Sequence, residues 1–118
     1  VNSLTAARAH LFKVLSDKVG VPVHDQPPAT IQPPGVVMFP GSPWLAPRGH
    51  VTFNVVAYAT AAAGGPAALD RLEDVVHQIR DALADVGLAA GDVDAPRPET
   101  TPGVLSCSMP VTFRISCY

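Results

Sequence analysis

Two stretches of this chain, HVTFNVVAYAT at 50–60 and VLSCSMPVTFRISCY at 104–118, alternate in character with a period of two. In the first, Val51, Phe53, Val55, Ala57 and Ala59 share one face, and His50, Thr52, Asn54, Val56 and Tyr58 share the other. In the second, Leu105, Cys107, Met109, Val111, Phe113, Ile115 and Cys117 oppose a row of mostly polar residues. Successive side chains of a strand point to opposite sides of its sheet, so each stretch predicts a long strand with one buried face. A sheet that is apolar on one side needs a second layer to cover it.

Two segments can supply that cover. SLTAARAHLFKVLSDKVG spaces Leu4, Ala7, Leu11, Val14, Leu15 and Lys18 by threes and fours, with Ser3 as a candidate N-cap and an end near Gly20. After Gly64, Gly65 and Pro66, a stripe of Leu69, Leu72, Val76, Ile79, Leu83 and Val86 predicts a second amphipathic helix, with Gly87 at its C′ position. Val21 and Val23, alternating with Pro22 and His24, suggest a short edge strand, because proline is tolerated at sheet edges. DQPPATIQPPG reads as a connector, and VVMFP at 36–40 as a short strand joined to 50–60 by a loop. The expected order is α-β-β-β-α-β in one domain over 1–118. It describes an α+β two-layer sandwich, with about four mostly antiparallel strands and both helices on one face. Pro110 implies an edge position or a bulge. The closing strand, about 46 Å if extended, would outreach a second helix of about 30 Å, which predicts an overhang suited to a neighbouring subunit.

Loop 41–49, GSPWLAPRG, holds the only tryptophan. Trp44 sits where prolines and glycines oppose regular structure, so it is either a cap on the domain's own core or an anchor for another protein. A proline-stiffened loop favours the anchor, because it loses less entropy on docking.

Composition narrows the function. With 47% hydrophobic and 15% charged residues the chain can pack a core but has little surface charge, which points to surface covered by partners. The net charge of −2, without a cluster of Lys and Arg, gives no footprint for nucleic acid or an anionic membrane. No signal-peptide run and no 18-residue apolar segment occur, so a cytoplasm-like compartment is expected. Cys107 and Cys117, about 33 Å apart along one strand, cannot bridge and read as small buried apolar residues.

Signals for catalysis are weak. Ser42 lies outside any GxSxG elbow, and Gly64–Gly65 lacks the rest of a phosphate loop, so neither a catalytic nor a cofactor-binding residue is assigned. His10, His24, His50 and His77 lack metal-ligand spacing, and no metal site is expected. His77 with Glu73 and Asp81 on one helical face reads as a solvated surface before it reads as a base with its carboxylates. Seven of the ten acidic residues fall between positions 70 and 94, which makes one side of the molecule acidic.

The order of these elements, with VGVPVHDQPP after the first helix, PPGVVMFPGSP, HVTFNVVAYAT, GGPAALDRLEDVVHQIRDALADVG and the closing strand, resembles the tail terminator family of long-tailed bacteriophages, the lambda-type tail completion proteins. The likeness spans nearly the whole chain through soft apolar and turn patterns. It implies a non-enzymatic virion protein, assembled in the host cytoplasm and placed at the neck end of the tail. There a homo-hexameric ring would cap the tail tube protein, end its polymerisation and meet the head–tail connector protein, with DNA passing through unbound. On that reading Pro43, Trp44, Leu45, Arg48, Arg114 and Tyr118 are candidate interface residues. Asp70, Asp74 and Asp81 are candidate channel-facing acids that repel DNA phosphates. A head-closure or connector ring protein, and a small α+β ligand-binding domain or enzyme, remain as alternatives.

Overall fold

The computed structural model describes residues 4–25, 35–45, 49–60, 67–88, 91–99 and 104–114. Its centre is the strand that the alternation marks most strongly. This strand, β3 (His50–Thr60), runs antiparallel to β2 (Gly35–Leu45) on one side and to β5 (Val104–Arg114) on the other. Two short strands complete a five-stranded mixed sheet in the order β1-β2-β3-β5-β4: β1 (Val23–His24) is parallel to β2, and β4 (Arg97–Pro98) is antiparallel to β5. The class is α+β, as expected, but the sheet has one strand more than the predicted four and one parallel junction. The two residues of β4 carry no alternation, which hid them inside a Pro- and Gly-containing loop.

Helices α1 (Leu4–Lys18) and α2 (Ala67–Asp85) pack on the same face of the sheet. Leu11, Leu15, Leu72, Ile79 and Leu83 meet Val36, Met38, Val55, Met109 and Val111 in one core. Burial of such side chains contributes roughly 1.5–3 kcal/mol each. The stripe expected on α2 is shifted. Leu69 and Val86 are 39% and 46% exposed, while Val75 and Ala82 are buried in their place. Val75 and Ala82 are the residues that turn toward the sheet and α1, so the covered arc is centred away from the two ends of the predicted stripe.

Local chemistry fixes the ends of the helices. Leu88 N–H donates to Leu83 O at 2.9 Å and Gly87 N–H to Ala84 O at 3.1 Å, the paired bonds of a Schellman stop, and Gly87 takes the required positive φ of 76°. The chain leaving α1 is held by α2, because Gly20 N–H donates to Gln78 Oε1 at 2.7 Å. Lys18 Nζ and Asp85 form an exposed ion pair at 3.2 Å. Arg71 Nη1 donates to Thr60 O at 3.0 Å and ties the start of α2 to the end of β3.

The sheet face turned away from the helices is mixed. Val37, Tyr58 and Val104 form a second small cluster with Phe39 and Val56 beside them. Toward the other end of the sheet, Thr52 and Thr112 pair across strands with their Oγ1 atoms 3.3 Å apart.

The clearest correction concerns the expected loop at 41–49. β2 does not stop at Pro40 but continues through Trp44 to Leu45. β5 is described as far as Arg114; positions 115–118 of the expected strand, and with them the expected overhang, lie outside the described residues, as do Cys117 and the candidate cap Ser3. Leu11 is fully buried, and Leu11→Ala should lower unfolding free energy by about 2–5 kcal/mol in urea titrations, with an unchanged folded circular dichroism spectrum.

Candidate functional site

Proline placement explains how β2 survives Pro40. Val36 N–H donates outward to Pro22 O at 2.9 Å, away from β3. Backbone groups alternate sides along a strand, so Met38 and Pro40 face outward as well, and the N–H that Pro40 lacks is not needed by β3. The same holds for Pro110 on β5. Its carbonyl accepts Gly91 N–H at 2.7 Å on the outer side, and its missing N–H would lie on that side too. Pro110 therefore sits where the sequence required it, at a position whose donor is not used by β3.

Beyond Pro40 the ladder is irregular. Pro40 pairs with Phe53 and Leu45 with Val51, so the four residues Gly41, Ser42, Pro43 and Trp44 stand against the single residue Thr52. This wide bulge depends on Gly41, where an added Cβ would lie 2.6 Å from the backbone oxygen of Thr52. Bulges bend a strand and re-aim its side chains. Here the result is two consecutive large apolar side chains in solvent, Trp44 at 43% and Leu45 at 52% exposure.

Register brings other predicted residues to the same end of the sheet. Leu45 is opposite Val51, Val51 is opposite Phe113, and the exposed His50 is opposite Arg114. Pro43, Trp44, Leu45 and Arg114 thus share the hairpin end. Arg48 and Tyr118 lie outside the described residues. Asp70, Asp74 and Asp81 are elsewhere, exposed on α2 in the helix layer. Glu73 and His77 are exposed on the same helix. Among the described residues, no group of three or more His, Cys, Asp or Glu is placed to hold a metal ion.

Two concavities were not foreseen. A groove of about 250 Å³ runs between α1 and α2, with Val14, Ala82 and Val86 as its apolar lining. The sequence signal for it was Val86, an apolar residue just past the end of α2 that is 46% exposed. A smaller pocket of about 150 Å³ lies between α2 and β5 and is lined by Leu72, Val76, Val93 and Cys107 among others. Cys107 Sγ donates to Asp94 O at 3.0 Å, and the Asp94 carboxylate accepts Ser108 Oγ at 3.0 Å. Burial, and then the negative charge of Asp94, push the Cys107 thiol up. The sulfur's bond to Asp94 O helps pin the 91–99 segment to β5. Glu99 accepts Ser106 Oγ at 3.2 Å and anchors the same segment further along.

No family model matches this chain, and no curated protein matches it. No helix among the described residues is long and apolar enough to cross a membrane.

Burial also raises the Tyr58 hydroxyl, with the Glu99 charge adding to it. Groups with raised native pKa values hold protons more tightly when folded, so stability is full below their unfolded values and is lost as pH rises through the native ones. The thermal midpoint should fall from about pH 8.5 upward, with a second loss above about pH 10. Cys107→Ala should remove the first step and keep the second, as melting curves at a series of pH values would read out. A flat profile in the parent protein would contradict the protonated, buried state of both groups.

Proposed function

We propose that this chain is a tail-terminator-like ring subunit: a structural protein that assembles with copies of itself into a hexamer, caps the tail tube and presents a surface to the head connector. The observation that carries the reading is the pair Trp44 and Leu45. A folded domain gains little by holding two large apolar side chains in water, whereas aromatic residues on rigid frames are the usual anchors of protein interfaces. The bulge that places them rests on a glycine and two prolines, so the end is preordered and loses little entropy on association. The sequence resemblance supplies the particular assembly, and the low surface charge suits a part enclosed by neighbours. In this assembly Asp70, Asp74 and Asp81 would border the DNA path and keep phosphates from sticking.

Native mass spectrometry of the purified protein, alone and mixed with tail tubes, tests the proposal, with negative-stain images of the same samples. Hexamers, free or seated on tube ends, are expected. A species that stays monomeric and ignores tubes would remove the ring reading. Because Trp44 is half exposed, Trp44→Ala should melt within a few degrees of the parent yet fail to assemble. Replacing Asp70, Asp74 and Asp81 together with lysine should leave rings intact and slow DNA ejection from particles carrying them. Unaltered ejection would take the acids out of the channel.

A further inference from the structure

The 91–99 segment lies along the outer edge of β5, from Pro110 to Val104. Gly91 N–H donates to Pro110 O at 2.7 Å, Asp94 N–H to Ser108 O at 2.9 Å and Glu99 N–H to Val104 O at 2.9 Å, with the β4 pairs Arg97–Ser106 and Pro98–Leu105 between them. Three side chains of β5 add bonds of their own: Cys107 Sγ donates to Asp94 O, Ser108 Oγ to the Asp94 carboxylate and Ser106 Oγ to Glu99. Apolar attachment is slight. Of the nine residues only Val93 is partly buried, and the other eight are exposed. The pocket of about 150 Å³ lies between this segment and α2, with Val93 and Pro96 on one side and Leu72 and Val76 on the other, so part of the segment's inner surface meets space instead of the helix. At its start the fit is close, because a Cβ on Gly91 would lie 2.7 Å from Cγ of Pro110.

We propose that 91–99 is a strap that opens as one unit while α1, α2, β2, β3 and β5 stay folded, and that its opening uncovers the Cys107 thiol and the outer edge of β5. The inference is independent of the ring reading. Segments open locally when they bury few apolar contacts and hold their backbone bonds near solvent, because ordering each residue costs conformational entropy that such bonds offset poorly. The strap meets both conditions, whereas β3 is bonded on both sides and has one face in the core. Its anchors at 91, 94, 97 and 99 leave at most two residues between neighbours, so one end cannot lift far without pulling on the next. Cys107 is 5% exposed and bonded to the strap's own Asp94, so departure of the strap frees the sulfur. Closed, the strap occupies acceptors on an edge that would otherwise be open to a foreign strand.

Amide hydrogen exchange by NMR tests this. In the parent protein the Gly91, Asp94 and Glu99 amides should share one opening equilibrium, at least about a hundredfold more populated than that of Val55 and Val56 at the centre of β3. Val93→Ala should raise the three strap rates together, by roughly fivefold to tenfold. Leu11→Ala, which weakens the core under α1, should leave them unchanged while exchange in β3 quickens. Gly91→Ala and Ser106→Ala, at opposite ends of the strap, should each loosen all three amides. Labelling of Cys107 by iodoacetamide gives a second readout on the tryptic peptide that ends at Arg114 and so excludes Cys117, and it should follow the strap amides through all four variants. Strap rates that rise in step with those of β3 in Leu11→Ala would mean that the segment leaves only with the whole fold. Amides that answer singly to the two end substitutions would mean that it is not one unit, and either result overturns the proposal. Labelling faster than the strap opens would show that the sulfur is reached through the pocket, and would overturn the strap's role as its cover. The oligomer measurement decides the ring reading separately, whichever way these rates fall.

Discussion

The structure depends on β3 being hydrogen-bonded on both sides along most of its length while one of its faces is dry. Every residue from His50 to Thr60 has a partner on β5, and the residues from Phe53 to Tyr58 are also paired with β2. A strand with neighbours on both sides and a buried face has one permitted register, because a slip by one residue would turn Phe53, Val55 and Ala57 to the other side of the sheet. That fixed register aligns β2 and β5, and their aligned inner faces make the platform on which both helices rest. The bonds between Gly20 and Gln78, between Arg71 and Thr60, and between Lys18 and Asp85 then secure elements whose positions the sheet already sets.

The same platform makes the hairpin end usable as a site. An exposed aromatic on a mobile loop would lose conformational freedom on docking, but Trp44 lies on a strand that leaves regular pairing only four residues earlier. Gly41 permits the close crossing over Thr52, and Pro40 before the bulge and Pro43 within it restrict the backbone. Stability and display therefore come from the same strand: Val36 and Met38 in its first half join the core that the helices cover, and its last two residues are in solvent.

Elements with a strong period were legible in the sequence, and those set by long-range pairing were not. The alternation at 50–60 and the threes and fours of α2 each predicted the right element, and Gly87 marked the end of α2 because positive φ is cheap only there. The 41–45 segment was read as a loop, since proline and glycine content is a local signal and cannot tell whether a missing N–H faces a partner strand or the outer edge. Two-residue β1 and β4 differ for a similar reason. β1 had Val21 and Val23 alternating with Pro22 and His24, whereas β4 is Arg97–Pro98, recognisable only from its register against Ser106 and Leu105. Of the site, Trp44 and Leu45 could be singled out because large apolar residues stood among turn formers. The groove could not, because the residues that line it are more than sixty apart in the sequence.

The two prolines also limit how copies of this fold can join. A sheet is most simply extended by adding a neighbour's strand to an unpaired edge, which uses backbone donors and acceptors and little side-chain information. Pro40 removes a donor from the outer side of β2, and Pro110 removes one from the outer side of β5, where the 91–99 segment already occupies acceptors at Ser108 and Pro110. Continuation of the sheet from one copy to the next is thus opposed on both flanks. An assembly of this chain would therefore draw its specificity from side chains. Proline at the edges discourages indiscriminate strand pairing, and the interface proposed at the hairpin end would rest on the Trp44 and Leu45 side chains instead.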